Sequence, residues 1–482
     1  MNKDEQLHRL LRERFGYQHF RDGQQETIES LLAGHDTLTV LPTGAGKSLL
    51  YQLPAYLLPH GVVIVSPLIS LMQDQVDRLR QRGEKRVVML SSQLQGPARD
   101  QVLNSLGSFR FIFASPEILA TPAILAALRR IQPSMLVVDE AHCVSQWGPD
   151  FRPEYLLLKR ARQALGSPRL LMLTATATPR VRRDILNKLG LDRDRVHQVI
   201  RSVNRPNIFL AVDRVADQAA KNDRLCQLVT SLPAPGIIYF ASRKLASQMA
   251  DWLAEQTGLA VAPYHAGMAA VDRFKIQQQF MNNRLQLVCA TSAFGMGVDK
   301  NDIRYVIHYH LPANLESYMQ EIGRAGRDGQ QSVAVLLYAP GDEGLASQLT
   351  TINLPSVDLL TQVQHHQLRP SVLGDDQELF TFYLDHGYQP ARIVTAFRKR
   401  QRQLAISLQR VVDYTGLATC RRRFLLDYFG EEAADFPPPC CDVDQPQWAG
   451  ELTMKSAPHL VVCQQGDWHL RLRQLFNQGN NQ

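Results

Sequence analysis

The amino-acid sequence predicts an α/β fold in which two tandem parallel sheets are followed by a smaller helix-rich C-terminal region. Up to about residue 340, short apolar runs alternate with longer amphipathic stretches. This pattern is typical of strands that are buried on both faces and connected by helices. The alternation starts again after a Pro- and Asn-containing stretch at 203–210. From about residue 355 the apolar runs give way to helical periodicity.

The individual strands follow from the apolar runs. The first set of predicted strands is 37–41, 62–66, 86–90, 110–113, 135–138 and 170–174. The second set is 236–240, 259–263, 286–290, 304–309 and 332–338. We therefore expect a first lobe at 1–205, a second lobe at 206–345, a helical region at 346–444 and a short tail segment at 445–482.

Composition narrows the class of protein. The chain has 482 residues, 45% of them hydrophobic, so it can bury a large core without disulfide or metal staples. The net charge of +7 fits a polyanionic partner. Seven scattered cysteines argue against a secreted disulfide framework. Segment 1–16 lacks a signal-peptide core, and no apolar run approaches the roughly 18 residues of a spanning helix. We expect a cytoplasmic protein, associated with the nucleoid if the source is bacterial.

A phosphate-binding loop follows the first predicted strand. The segment PTGAGKS at 42–48 precedes a helical pattern, and its small residues let backbone N–H groups surround phosphate oxygens. Leu41 stands where the usual pattern has glycine. Lys47 is expected to reach the β- and γ-phosphates of ATP, and Ser48 to bind Mg²⁺. The expected nucleotide contacts in this loop are Thr43, Gly44, Ala45, Gly46, Lys47 and Ser48.

Two acidic residues end another predicted strand. The segment MLVVDEAH at 135–142 places Asp139 and Glu140 at the carboxyl edge of a parallel sheet, where ligands bind in such folds. We expect Asp139 to hold Mg²⁺ and Glu140 to polarise the attacking water. His142 has two interpretations: it couples the nucleotide site to nucleic acid, or it is a buried histidine that only supports the site.

The second predicted lobe contains a pair of arginines. In QEIGRAGRDG at 320–329, Arg324 and Arg327 are three residues apart, which predicts one face of a helix turn. Arginine suits phosphate because it forms paired, charged hydrogen bonds. We expect Arg327 to be an arginine finger and Arg324 to assist it. Gln320 is a further candidate for nucleotide contact.

These motifs together resemble those of the RecQ helicases of superfamily 2. PTGAGKS, VVDEAH, LTATAT at 173–178 and QEIGRAGRDG match the superfamily. The segments with RecQ character are FGYQHFRDGQ at 15–24, SPLISLMQDQV at 66–76, CVSQWGPDFRPEY at 143–155 and the region 290–312. The resemblance implies two RecA-like lobes and an ATP- and Mg²⁺-dependent DNA helicase that moves 3′ to 5′ on one strand, unwinds duplexes and serves repair or recombination.

The resemblance also assigns roles to individual residues. Tyr17 and Arg21 stack on the adenine, and Gln24 reads its edge. The residues of the aromatic-rich loop that sense single-stranded DNA are Gln146, Trp147, Phe151 and Arg152. Thr174 and Thr176 link hydrolysis to lobe movement. The candidates for DNA-backbone or interlobe contacts in the second lobe are Ser242, Arg243, His265, Thr291 and Arg304.

The C-terminal cysteines depart from the family pattern. RecQ proteins usually have a four-cysteine zinc site, whereas here Cys440 and Cys441 are adjacent and Asp444 stands where a fourth cysteine is expected. One hypothesis is a Zn²⁺ site formed by Cys420, Cys440, Cys441 and Asp444. The other is a region without metal, in which apolar packing holds the helices together. The short stretch after Asp444 implies a short form that lacks the family's usual full C-terminal domains.

Two further functions remain open from the sequence. An RNA helicase of the same superfamily shares the hydrolysis motifs, although the aromatic-rich loop favours DNA. A DNA-binding or annealing protein with a vestigial ATPase is the other alternative. Residues 391–424 carry nine Lys or Arg against one Asp, which indicates either a phosphate-binding helix or a solvated face. The expected partners are single-stranded and tailed or forked duplex DNA, with no membrane, and the expected state is a monomer.

Overall fold

A computed structural model describes residues 3–91, 94–145, 153–295, 300–432, 439–452 and 454. The chain divides into two compact units. The first unit comprises Met1–Val203, Pro355–Val394 and Phe429–Glu431. The second comprises Asn204–Leu354, Thr395–Tyr428 and Glu432–Gln482. Among the described residues, no helix is long and apolar enough to cross a membrane.

The first unit is built on a parallel sheet, which has seven strands within the described residues. These strands are β1 (Asp36–Val40), β2 (Val62–Val65), β3 (Val87–Leu90), β4 (Phe111–Ala114), β5 (Met135–Val138), β6 (Arg169–Thr174) and β7 (Val196–Ile200). Their spatial order is β3-β4-β2-β5-β6-β1-β7. The carboxyl ends of β5, β6 and β1 therefore lie side by side.

The second unit has a parallel sheet of the same kind, with six strands among the residues described. They are β8 (Ile208–Arg214), β9 (Gly236–Tyr239), β10 (Val261–Tyr264), β11 (Leu287–Ala290), β12 (Tyr305–His308) and β13 (Ser332–Tyr338). Their order is β10-β11-β9-β12-β13-β8. The predicted α/β class with two parallel sheets is confirmed.

Helices cover these sheets and form the C-terminal region. Up to residue 203 the helices are α1 (Lys3–Leu10), α2 (Gln24–Leu32), α3 (Leu49–Gln52), α4 (Ile69–Gln81), α5 (Gly96–Asn104), α6 (Pro116–Leu119), α7 (Pro122–Arg130), α8 (Leu158–Ala164) and α9 (Pro179–Leu189). Those beside the second sheet are α10 (Gln218–Ser231), α11 (Arg243–Thr257), α12 (Ala270–Met281), α13 (Leu315–Ile322) and α14 (Asp342–Thr350). The later helices are α15 (Val357–Gln364), α16 (Gln377–Asp385), α17 (Pro390–Thr415), α18 (Arg421–Phe429) and α19 (Trp448–Glu451).

The core of the first unit lies on both faces of its sheet. Successive residues of β2 point to opposite sides, as the pleat requires: Val63 belongs to one apolar cluster and Ile64 to the other. Both are completely buried. A strand buried on both faces has few polar residues, which is why apolar runs in the sequence predict these strands.

Local signals in the sequence explain where the helices begin and end. In α9, Thr178 accepts a hydrogen bond from the Val181 N–H at 3.3 Å, Pro179 occupies the first turn, and Gly190 ends the helix with φ of 70°. In α11, the Ser242 side chain caps the first turn in the same way. These caps fix where each helix leaves the carboxyl edge of its sheet.

Candidate nucleotide and metal sites of a two-sheet protein

The phosphate-binding loop connects β1 to α3. Gly44 and Gly46 have φ of 83° and 74°, a left-handed conformation that favours glycine. A Cβ added at Gly46 would lie 2.8 Å from the Gln24 Nε2 atom. Helix α3 is only four residues long and is followed by a 3-10 turn at Pro54–Tyr56, since Pro54 lacks a backbone N–H. In the loop itself, Lys47 Nζ donates to the Leu41 carbonyl at 3.2 Å and to the Pro42 carbonyl at 3.5 Å.

Gln24 is bonded to the phosphate-binding loop. It is 3% exposed, and its Nε2 donates to the Ala45 carbonyl at 2.8 Å and the Gly46 carbonyl at 3.3 Å. Its Oε1 accepts from the Arg21 N–H at 2.9 Å. The amide therefore supports the loop, a role that the sequence analysis did not foresee, and adenine recognition by Gln24 stays a prediction.

The other two residues expected at the adenine lie at the surface. The Arg21 guanidinium donates to the Gly44 carbonyl, and the Tyr17 ring is 46% exposed. Exposure leaves the Tyr17 ring face open to stacking. Ser48 precedes α3 in helical conformation and is half-buried, beside the equally half-buried Thr43.

Asp139 and Glu140 follow β5 directly, as predicted. The Asp139 N–H donates to the Val65 carbonyl at 2.9 Å, and its Oδ1 accepts from the Glu140 N–H at 3.0 Å. Burial, followed by repulsion from Glu140, raises the pKa of Asp139 to about 7, while Lys47 opposes the rise. Glu140 adopts φ of 50°, which is strained for a residue with a side chain, and its buried Oε2 accepts no hydrogen bond from the described residues.

His142 connects the acidic pair with the neighbouring strand. Its Nδ1 lies 3.0 Å from Thr174 Oγ1, at the end of β6, and 3.3 Å from Glu140 Oε2. The Thr174 hydroxyl donates to the Thr176 carbonyl at 3.0 Å. Burial lowers the pKa of His142, so the ring is neutral at pH 7. The structure thus brings Glu140, His142 and the LTATAT segment together across adjacent strands.

Polar residues also follow three neighbouring strands of the second sheet. Ser242 and Arg243 come after β9, His265 after β10 and Thr291 after β11. Burial, and next the charge of Arg243, lowers the pKa of His265, whose Nε2 lies 3.0 Å from the Ser247 hydroxyl. The Ser242 hydroxyl accepts from the Leu245 N–H at 3.4 Å, so part of its role is structural.

Arg304 lies away from this group and is 2% exposed. Its guanidinium bonds the Asp302 carbonyl at 2.9 Å and the Asp328 carboxylate at 2.5 Å. These contacts indicate a supporting role for Arg304.

The predicted helix turn for Arg324 and Arg327 is wrong. Helix α13 ends at Ile322, and Gly323–Gln330 follows as a series of turns, which we call the arginine turn. Gly326 has φ of 57°, and a Cβ there would lie 2.5 Å from Asn207 Nδ2, so a helix cannot continue through this point. Arg324 is 7% exposed and donates to the Gly295 carbonyl, whereas Arg327 is only half-buried.

Arg205 and Asn207 hold the arginine turn in place. The Arg205 guanidinium donates to the carbonyls of Gly323 at 2.9 Å, Ala325 at 3.0 Å and Gly326 at 2.7 Å. Asn207 donates to the Gly326 and Gln330 carbonyls at 2.8 and 2.9 Å. Sequence analysis missed both residues, because the stretch 203–210 offered only a linker-like composition. Gln320, on α13, is half-buried.

The four predicted zinc ligands lie together. The ligand atoms of Cys420, Cys440, Cys441 and Asp444 all lie within 4.8 Å of one another. Cys420 Sγ is 3.3 Å from Cys440 Sγ, which is 3.0 Å from Asp444 Oδ2. Sharing a hydrogen bond with Cys440 lowers the pKa of the Cys441 thiol to about 6 and raises that of Cys440. Three sulfur donors and one carboxylate within this distance form a donor set that suits zinc.

Comparison with known proteins identifies the family of this chain. Residues 21–185 match the DEAD/DEAH box helicase family, residues 220–329 the helicase conserved C-terminal domain and residues 377–445 the RecQ zinc-binding family. The probable ATP-dependent DNA helicase RecS of Bacillus subtilis is 43% identical over 90% of this chain and 91% of its own length. The ATP-dependent DNA helicase RecQ of the same organism is 34% identical over 95% of this chain and 70% of its length.

The chain belongs to the RecQ family of DNA helicases. It covers only 60% of the RecQ of Pasteurella multocida, to which it is 36% identical. Among solved structures, the DEAD-box helicase Mss116 bound to ssRNA and UDP-BeF has a TM-score of 0.59 at 16% identity, covering 88% of this chain and 95% of that one. At this identity the likeness concerns the fold alone. The predicted RecQ resemblance is confirmed.

The aromatic-rich loop contains the four residues that are expected to sense DNA. Gln146, Trp147, Phe151 and Arg152 lie outside the described residues. Their neighbours on the described side, Cys143 and Val144, are completely buried beside β6. The role of the aromatic-rich loop stays a prediction.

Proposed function

We propose that this chain is an ATP-dependent DNA helicase that moves 3′ to 5′ along single-stranded DNA, unwinds tailed or forked duplexes and acts in repair or recombination. The contact of His142 with both Glu140 and Thr174 carries this proposal. It joins the acidic pair to a neighbouring strand end, which is what a hydrolysis site coupled to movement requires. We also propose that the protein works in the cytoplasm, at the nucleoid in a bacterium, because ATP and chromosomal DNA are found there, and that it is a monomer.

The first lobe, which we propose at 1–205, supplies the hydrolysis site. Lys47 contacts the β- and γ-phosphates, with backbone N–H groups of the loop around them. Ser48 and Asp139 would hold Mg²⁺, an ion that prefers oxygen donors and would neutralise charge on the phosphates. The raised pKa of Asp139 fits this role, because a buried carboxylate beside Glu140 gains from a cation. Glu140 would polarise the attacking water through its carboxylate, whose Oε2 lies 3.3 Å from His142 Nδ1.

The second unit supplies positive charge for the transition state. Arg327 is half-buried and is the proposed arginine finger. Arg324 donates to the Gly295 carbonyl and is nearly fully buried, which favours a supporting role for it beside Gln320. We propose that Ser242, Arg243, His265 and Thr291 contact the DNA backbone from the carboxyl edge of the second sheet.

The cysteine cluster is proposed as a structural zinc site. The ion would be held by Cys420, Cys440, Cys441 and Asp444. It would crosslink a segment that spans 24 positions of the chain, from 420 to 444. The residues 346–444 then form the helical, zinc-binding region, with 445–482 as a tail segment. Basic residues of α17 are a further proposed phosphate contact.

One set of assays tests the proposed function. We expect ATP hydrolysis that single-stranded DNA stimulates more than RNA does, and unwinding of duplexes with a 3′ tail but not a 5′ tail. Lys47→Ala removes the phosphate contact and should abolish hydrolysis. Lys85→Ala, which changes an exposed lysine of the same unit, should leave it intact.

Each contrary outcome points to a different alternative. Stronger stimulation by RNA would favour the RNA helicase. DNA binding without any hydrolysis by the unaltered protein would favour the annealing protein with a vestigial ATPase. DNA-stimulated turnover retained in Lys47→Ala would contradict the assignment of the phosphate-binding loop.

A further inference from the structure

The arginine turn is held by the partly buried Arg205 guanidinium rather than by helical hydrogen bonds of its own. Three hydrogen bonds of Arg205 go to carbonyl oxygens on either side of Arg324. Burial lowers the pKa of Arg205, with Asp328 opposing the effect. A desolvated guanidinium that loses one of its hydrogen bonds is left with an unsatisfied charged donor, which favours keeping all of these contacts together.

Arg422 in turn holds the backbone that carries Arg205. It is 4% exposed and donates to the Asn204 side-chain carbonyl at 2.7 Å, the Arg205 carbonyl at 2.9 Å and the Ile208 carbonyl at 2.5 Å. Its Nη2 also donates to the Cys440 carbonyl at 3.3 Å. One side chain therefore contacts both the Arg205 segment and a proposed zinc ligand.

The cysteine cluster is joined to the same place by the backbone. Cys420 immediately precedes α18, whose second residue is Arg422. On the other side of the cluster, the Leu210 N–H donates to the Cys440 carbonyl at 3.3 Å and the Asp442 N–H donates to the Leu210 carbonyl at 3.0 Å. Zinc bound to Cys420 and Cys440 would thus fix the chain on both sides of Arg422.

We propose that Arg422 and Arg205 are positioning residues that transmit the order of the zinc cluster to the arginine turn. Zinc then sets the turnover rate of ATP as well as the stability of the second unit. The inference rests on the proposed function, because it takes Arg327 to act on phosphate. All of its contacts lie within the second unit.

The test compares Arg422→Gln with a matched buried cation. Misplacing a catalytic group by about 1 Å costs roughly 100-fold, so we expect kcat for ATP at saturating DNA to fall roughly 10–100-fold with KM nearly unchanged. Arg422→Lys keeps the charge and part of the bonding, so it should recover part of kcat. Lys221→Gln is the control, since Lys221 is completely buried in the same unit and pairs with Asp342. It should lower the melting temperature but leave kcat within about threefold.

Hydrogen exchange gives a readout that does not depend on ATP. The Gly326 N–H bonds the Ile303 carbonyl, and the Asp328 N–H bonds the Asn301 carbonyl. Both amides should exchange faster in Arg422→Gln, and in the unaltered protein after a chelator has removed zinc. Lys221→Gln should exchange like the unaltered protein at these two amides.

A combined experiment distinguishes transmission through Arg422 from simple destabilisation of the second unit. If Arg422 carries the effect of zinc, removing zinc lowers kcat in the unaltered protein but adds little in Arg422→Gln. Equal further losses in both proteins would overturn the proposal, as would unchanged exchange at Gly326 and Asp328 in Arg422→Gln. Failure of the proposed function has a different signature: Arg327→Ala would retain full DNA-stimulated turnover, whatever the exchange shows.

Discussion

Replacing Asp139 by asparagine should stabilise the first unit while abolishing its hydrolysis. Burial and the neighbouring Glu140 raise the pKa of Asp139 from 3.8 to about 7. Below pH 3.8 the carboxyl is protonated in both the folded and the unfolded chain, so it carries no penalty. As the pH rises from 3.8 to about 7, the unfolded chain ionises first and the folded state loses stability; above about 7 the loss is constant.

The magnitude follows from this rise. A shift from 3.8 to about 7 corresponds to about 4 kcal/mol of lost stability above pH 7. Part of the Asp139 side chain touches solvent, so this value is an upper bound and we expect roughly 2–4 kcal/mol. At about 2–4 °C per kcal/mol for a unit of this size, Asp139→Asn should melt about 4–16 °C higher at pH 8 without divalent ions.

The assay is thermal unfolding at pH 5 and pH 8 in the presence of EDTA, beside ATP turnover with Mg²⁺. At pH 5 the gain should shrink to about 1.7 kcal/mol or less, because the pH is then only about 1.2 units above the pKa of 3.8 in the unfolded chain. Asp100→Asn, which changes an exposed carboxyl on α5, should show no such pH dependence. The reasoning is refuted if Asp139→Asn melts no higher than the unaltered protein at pH 8, or if its gain does not grow with pH.

Two further substitutions test the second unit. Gly326→Ala should cost about 1–3 kcal/mol of unfolding free energy in denaturant titrations, because φ is 57° and the new Cβ meets Asn207 at 2.5 Å. Gly344→Ala, where a Cβ would meet nothing within 4 Å, should be neutral or slightly stabilising. Metal analysis should find about one zinc per chain and its loss in Cys441→Ser; absence of zinc from the unaltered protein would favour apolar packing without metal.

Much of the fold was predictable because its strands are buried on both faces. Every predicted apolar run overlaps one of the strands β1–β6 or β9–β13. Strand β7 escaped prediction because it is an edge strand with exposed His197 and Ile200, so it lacks an apolar run. Strand β8 begins at Ile208, inside the Pro- and Asn-containing stretch that resembled a linker.

The candidate site was predictable only in part, because local sequence predicts where strands end but not which strands are neighbours. The phosphate-binding loop, Asp139 and Thr174 each follow an apolar strand, so their placement at a sheet edge follows from local sequence. That β1, β6 and β5 are neighbours does not, because the strand order is not the chain order. Arg205 and Arg422 contact backbone carbonyls more than 100 residues away. Every residue has a backbone carbonyl, so no residue type in the sequence indicates such a contact.

The parallel bridge between Leu210 and Cys441 also bears on solubility. Strand β8 is the last strand of its sheet, and the outer edge of such a strand presents backbone groups that recruit strands from other molecules. The cysteine segment occupies that edge at Leu210, and the Asp442 carboxylate accepts the Val212 N–H at 3.2 Å. A chain that loses this cover would expose the edge of Ile208–Arg214 to other copies of itself, so we expect self-association in addition to the lower turnover.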